Sequence, residues 1–174
     1  YPLLAQCHRK LDDPDEELKM LEQYAAMEAN SVELLMRLLE IYSANSDWAE
    51  VKSVARKMLA LNPLLPSPYR FLAVAAEQTQ DDQATVESLT ALARMDPLDA
   101  ADVHYRLASA LFRQQQLGEA KDQVVRSLER APRYRAAYDL LLEIVDAQAE
   151  ISPPVKFTPE AIKADAVETK KESP

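Results

Sequence analysis

The chain has 174 residues, with 20 Lys plus Arg against 29 Asp plus Glu, a net charge of −9. That balance argues against general nucleic-acid binding, because neutralising phosphates needs a basic surface. Glycine occurs once, at Gly118, which speaks against Gly-rich phosphate loops, a dinucleotide-binding turn and tight β-hairpins. Ala, Leu, Glu, Gln, Arg and Met dominate, and these helix formers predict an all-α fold. No stretch is long and apolar enough to span a membrane. Cys7 stands alone, so no disulfide forms within the chain.

In chain order, the start Tyr1-Pro2-Leu3-Leu4-Ala5 reads as entering midway through a structural unit, so a segment of a longer protein is expected. Asp13-Pro14-Asp15-Glu16 places an N-cap, a first-turn Pro and a capping Glu in order. Asn30-x-x-Glu33, Asp47-x-x-Glu50 and Ser67-Pro68 are further helix starts. Helices are predicted at roughly 2–11, 14–28, 31–44, 47–61, 67–79, 82–95, 99–114, 117–131 and 133–150. Connections of two to five residues then force antiparallel hairpins. After Glu150, Pro153-Pro154 cannot continue a helix. Residues 151–174 therefore read as a flexible tail or linker, with one short helix at most, Ala161 to Glu168.

Pro63, Pro97 and Pro132 are 34 and 35 residues apart and close similar phrases, such as Met58-Leu59-Ala60-Leu61-Asn62-Pro63 and Leu92-Ala93-Arg94-Met95-Asp96-Pro97. A fixed period of that length means one supersecondary unit used several times. The clearest unit reads His104-x-x-Leu107-Ala108-x-x-Leu111, then Ala120-x-x-x-Val124, then Pro132. Before it come Tyr69-x-x-Leu72-Ala73-x-x-Ala76 with Thr85-x-x-x-Leu89, and Leu35-x-x-Leu38-Leu39-x-x-Tyr42 with Val51-x-x-x-Ala55. The pattern resembles the tetratricopeptide repeat, W-x2-L-G-x2-Y, then A-x3-F, then P. It departs where Leu39, Ala73 and Ala108 replace the glycine and where only Tyr42 keeps the following aromatic.

That resemblance, with bacterial members of the family in particular, implies a right-handed α-solenoid of about four units. Their expected bounds are about 1–30, 31–65, 66–99 and 100–134 of this sequence, followed by a capping helix over about 135–150. It also implies a non-catalytic scaffold that binds a protein or peptide segment in a groove lined by the first helix of each unit. The competing reading is a docking or regulatory module of a larger enzyme, such as a bacterial metallopeptidase. Self-association is a third possibility that no residue pattern points to.

Little in the sequence carries reaction chemistry, so neither catalytic residues nor a metal or cofactor site is expected. His8 and His104 lack the spacing of a zinc pair, and Cys7-His8 point about 100° apart on a helix. His104 and Trp48 are expected to pack between helices. The carboxylates around Asp12–Glu17 are expected to serve a helix start. Projecting the repeat register, Arg37, Arg70, Phe71, Tyr105, Arg106, Phe112 and Arg113 face the groove. Arginine and aromatics are the residue types that anchor interfaces, and an arginine row suits an acidic or C-terminal peptide segment. Pairing of these arginines with Glu33, Glu40, Glu77 or Asp102 is the competing expectation.

Overall fold

The computed structural model describes residues 14–27 and 30–151. The predicted helix at 2–11, Asp13 as a cap, Cys7, His8 and the 152–174 tail lie outside them. The described residues form eight α-helices: α1 Pro14–Met27, α2 Val32–Ala44, α3 Trp48–Leu61, α4 Pro66–Gln78, α5 Asp82–Ala93, α6 Ala100–Arg113, α7 Leu117–Arg130 and α8 Arg135–Ile151. Each packs on the next in sequence, and α2 touches α4 and α6 touches α8. This is an α-solenoid, as the composition and period lead one to expect.

Helix starts follow the cap chemistry with two corrections. The carboxylate of Asp47 accepts from Glu50 N at 3.4 Å and that of Asp81 from Ala84 N at 3.1 Å, satisfying amides that a helix N-terminus leaves open. The cap of α2 is Ser31 rather than Asn30, its Oγ accepting from Leu34 N at 3.4 Å. Helix α4 begins one residue before Ser67, at Pro66, behind Leu65 with no side-chain cap. A first-turn proline explains this, since it supplies helical φ and has no N–H to satisfy.

The turns inside each hairpin repeat closely. Ser46, Gln80 and Gln115 adopt φ of 60°, 55° and 61°. The next amide then reaches back across the helix end, Asp47 N to Tyr42 O, Asp81 N to Ala76 O and Gln116 N to Leu111 O, each at 2.9 Å. Helices commonly end on such a left-handed residue, and glycine is its usual occupant. Scarcity of glycine therefore did not remove the turn; Ser and Gln occupy it at a conformational cost of about 1 kcal/mol. Gln115→Gly is expected to stabilise the array by about 0.5–1 kcal/mol, the relief of strain exceeding the added chain entropy. Urea denaturation followed by circular dichroism would check it, and an unchanged or lower midpoint would refute it.

Burial follows the helix periodicity. Leu35, Leu38 and Leu39 of α2 meet Val51, Val54, Ala55 and Met58 of α3 in one cluster, with Trp48 packed against it. A second cluster joins Ala73, Leu89 and Leu92 to Val103, Leu107, Leu111, Val124, Leu140 and Ile144. His104 is buried, and its Nδ1 donates to Gln123 Oε1 of α7 at 2.9 Å. Ser127 Oγ donates to Ala101 O at 2.7 Å, tying the same two helices.

Candidate functional site

Each of the four arginines expected to face the groove pairs with a carboxylate outside its own helix. Arg37 of α2 grips Glu17 of α1 with both arms of its fork, Nε to Oε1 at 2.7 Å and Nη2 to Oε2 at 2.8 Å, and reaches Glu40 at 2.8 Å. Glu17 is almost fully buried, so it belongs to an inter-helix pair and is not a solvated residue of a helix start. Arg70 of α4 pairs with Asp99, the residue before α6. That occupies the Asp99 carboxylate, which caps no amide of α6. Arg106 of α6 reaches back to Glu77 of α4, Nε to Oε1 at 2.9 Å and Nη2 to Oε2 at 2.8 Å. Arg113 donates through Nε to Asp82 of α5 at 2.7 Å.

These pairs shift the titration of their members in the expected sense. Hydrogen bonding to Glu17 raises Arg37, and pairing with Asp99 and Glu77 raises Arg70 and Arg106 against the opposing effect of burial. The Arg70 guanidinium in turn holds the Asp99 carboxyl below the usual range. Opposite charges at hydrogen-bond distance favour both charged forms.

Two cavities open along the first helices. No Cα atoms of α4 and α6 approach within 8 Å. The gap is a cavity of about 690 Å³ lined by Glu77, Gln80, Asp82, Arg106, Ser109 and Arg113. The Arg106–Glu77 and Arg113–Asp82 pairs span it. The second cavity, about 330 Å³, lies between α6 and α8 and is lined by Tyr105, Ser109, Phe112, Arg113, Ala136, Asp139, Leu140 and Glu143. Ser109 and Arg113 belong to both, so the two form one trough across α4, α6 and α8. At its edge Tyr105 stacks at a tilt on Tyr134, ring centroids 5.0 Å apart. Burial and the nearby Asp102 carboxylate, which accepts from the Tyr134 hydroxyl at 3.2 Å, raise the Tyr134 phenol above its ordinary value.

The trough brings together Tyr105, Arg106, Phe112 and Arg113. Arg37 and Arg70 line neither cavity, and Phe71 packs against the core around α2 and α3. Gln80, Asp82, Ala136 and Leu140 are trough residues that projection along the first helices did not find. Gln80 and Asp82 come from the hairpin turn and the start of a second helix, whereas Leu140 replaces, at its repeat position, the arginine of α6. Among the described residues, no three His, Cys, Asp or Glu side chains are grouped to hold a metal ion, and no helix is long and apolar enough to cross a membrane.

No protein-family model matches the sequence, and no curated protein matches it. Solved structures do. The crystal structure of MamA aligns with a TM-score of 0.72 at 17% identity, over 95% of this chain and 96% of that one. MamA 41-end from Desulfovibrio magneticus RS-1 aligns with a TM-score of 0.65 at 17% identity, over 86% of this chain and 94% of that one. The first TPR of Spaghetti (RPAP3) bound to HSP90 peptide SRMEEVD aligns with a TM-score of 0.59 at 22% identity, over 67% of this chain and 91% of that one. With the eight helices of its described residues packed each on the next, its repeating turn and these neighbours, the chain has the α-solenoid fold of tetratricopeptide-repeat proteins.

Proposed function

We propose that this chain is a non-catalytic scaffold that takes a protein or peptide segment in the trough across α4, α6 and α8. The observation that carries the reading is the continuity of the two cavities through Ser109 and Arg113. An extended segment fits a trough of this kind, and preformed grooves bind with little rearrangement. Tyr105 and Phe112 supply apolar area, and Arg106 and Arg113, paired with Glu77 and Asp82, line the trough with guanidinium groups. A structural neighbour that carries a peptide, the RPAP3 repeat, supports the same use of the fold.

Arg37, Arg70 and Phe71 act in this reading by holding the units in register rather than by touching ligand. An acidic segment would have to take Arg106 and Arg113 from Glu77 and Asp82, an exchange of one ion pair for another with little net gain. Apolar contact and main-chain hydrogen bonding therefore dominate the proposed recognition.

The test is selection from a random peptide display library on the whole chain, followed by affinity measurement on two variants. Ser109→Trp fills the point where the cavities meet and is expected to weaken enriched peptides at least tenfold. Arg126→Ala, on an exposed face of α7, should leave them within twofold. Failure to enrich any peptide, or equal binding by Ser109→Trp, would remove the trough as the site.

A further inference from the structure

The first helices of the array can be aligned position by position, and one of them breaks the pattern. Leu35, Leu39 and Tyr42 of α2 correspond to Tyr69, Ala73 and Ala76 of α4 and to His104, Ala108 and Leu111 of α6. This row faces the second helix of its own hairpin, as the His104–Gln123 hydrogen bond from α6 to α7 shows. It is closed from solvent in each case, with Leu39, Ala73 and Ala108 all at 0% exposure and only Tyr69 half-buried. The equivalents in α8 are Tyr138, Leu142 and Val145. The register is fixed by a shared contact: Tyr69 and Tyr138 each donate a hydroxyl to the carbonyl of the proline six residues earlier, at 3.1 Å. Yet Tyr138, Leu142 and Val145 are 47%, 64% and 41% exposed.

A capping helix with a solvated outer face would carry polar residues there. Helix α8 instead keeps the large apolar row of an internal first helix, and its other side is already used, since Ala137, Leu140 and Ile144 are buried in the second core cluster. The open row therefore has the shape of a place for one more helix. One flank of the row, the side on which Asp139 and Glu143 line the cavity toward α6, defines the chemistry of that helix. Asp139, Glu143, Asp146 and Glu150 share α8 with a single cation, Arg135, and none of the four meets a cation among the described residues.

We propose that the Tyr138–Leu142–Val145 face is a docking site for a basic-flanked amphipathic helix of a partner protein. That helix would occupy the second-helix position of a further hairpin. The chain holds its own template for such a ligand: α3 lays Val51, Val54, Ala55 and Met58 on the matching row of α2 while Lys52, Arg56 and Lys57 lie around them. Complementary charge favours this occupant over the two others at hand. A second copy would bring the same carboxylates against each other, and like charges across an interface oppose association. Residues 152–174 of this chain lack the spacing: starting a stripe at Ala161 puts Asp165 four residues on and Glu168 seven residues on, where α3 has Ala55 and Met58.

The probe is a fluorescent peptide of residues 48–61, cross-linked through exposed i, i+4 positions so that it is helical before binding. It is titrated into the whole chain at low salt. Saturable binding is expected. Leu142→Asp/Val145→Asp in the protein should weaken it at least tenfold, and so should Lys52→Glu/Arg56→Glu/Lys57→Glu in the peptide. Phe112→Ala in the trough should leave it within twofold, which separates this site from the proposed groove. Absence of binding, or indifference to the Leu142/Val145 change, overturns the proposal. A rise of tenfold or more on deleting residues 152–174 would give the face to the tail instead. A dimer in sedimentation velocity that Leu142→Asp dissolves would give it to a second copy. Because the altered residues are exposed, unchanged helicity by circular dichroism is expected for the protein variants.

Discussion

Replacing Arg37 by Ala is expected to destabilise this chain by about 3 kcal/mol, more than a surface arginine would. The reason lies in its partner. Glu17 is 3% exposed and receives both arms of the Arg37 fork, so its charge is removed from water and met by one guanidinium. Taking away one member of a buried pair leaves the other uncompensated, at a cost of about 3–5 kcal/mol. Arg37 itself is 28% exposed through its side chain, which places the figure at the low end. Stability in stacked arrays is carried by contacts between neighbouring units, and Glu17 is α1's contact with Arg37, so the loss should appear as early release of α1. Hydrogen exchange of α1 amides and a urea midpoint together measure it. Glu17→Ala added to Arg37→Ala should restore part of the stability, because the orphaned carboxylate is then gone. A single-variant loss below about 1 kcal/mol would mean that the pair behaves as a solvated surface contact.

Leu39→Ala and Leu142→Ala, the same change at the same repeat position, are expected to differ by about 2–3 kcal/mol. Leu39 is 0% exposed and sits among Val51, Val54 and Ala55. Removing its branched end both forfeits transfer energy and leaves a cavity that packed helices close only in part, and the sum is about 3 kcal/mol. Leu142, 64% exposed, has little burial to lose, so its change should fall within about 0.5 kcal/mol. Thermal or urea denaturation of the two variants is a direct comparison of an occupied and an open second-helix position. Equal losses would show that something already covers the α8 row in the isolated chain, and the docking proposal would fall with it.

The hairpin order was legible from the sequence because it depends on local rules. The proline period, the caps at Asp47 and Asp81 and the 3.6-residue spacing of Leu35, Leu38, Leu39 and Tyr42 each act within a few turns of helix. Boundaries moved where two local signals competed, as at Asn30 and Ser31, or at Pro66 and Ser67. The left-handed turns at Ser46, Gln80 and Gln115 were not legible, since Gln carries no such preference; the return hydrogen bonds to Tyr42, Ala76 and Leu111 impose the conformation. Of the candidate site, the first-helix positions Tyr105, Arg106, Phe112 and Arg113 could be projected, but their partners could not. Arg106 meets Glu77, 29 residues earlier, and Arg37 meets Glu17, 20 residues earlier; such separations follow from how neighbouring units rotate against one another.

By itself, the sequence determined that the chain is helical, repeated and paired into hairpins, because propensity, capping and amphipathic spacing are properties of short segments. The tertiary structure alone decided which charges are already taken and which apolar row is left open. Arg37 could be a ligand contact or a brace until Glu17 is placed against it. The spacing of Tyr138, Leu142 and Val145 marks an apolar row on the expected capping helix, and the structure shows how far that row stays exposed among the described residues. Both distinctions are set by what lies across from a side chain, and that is fixed by the stacking of units.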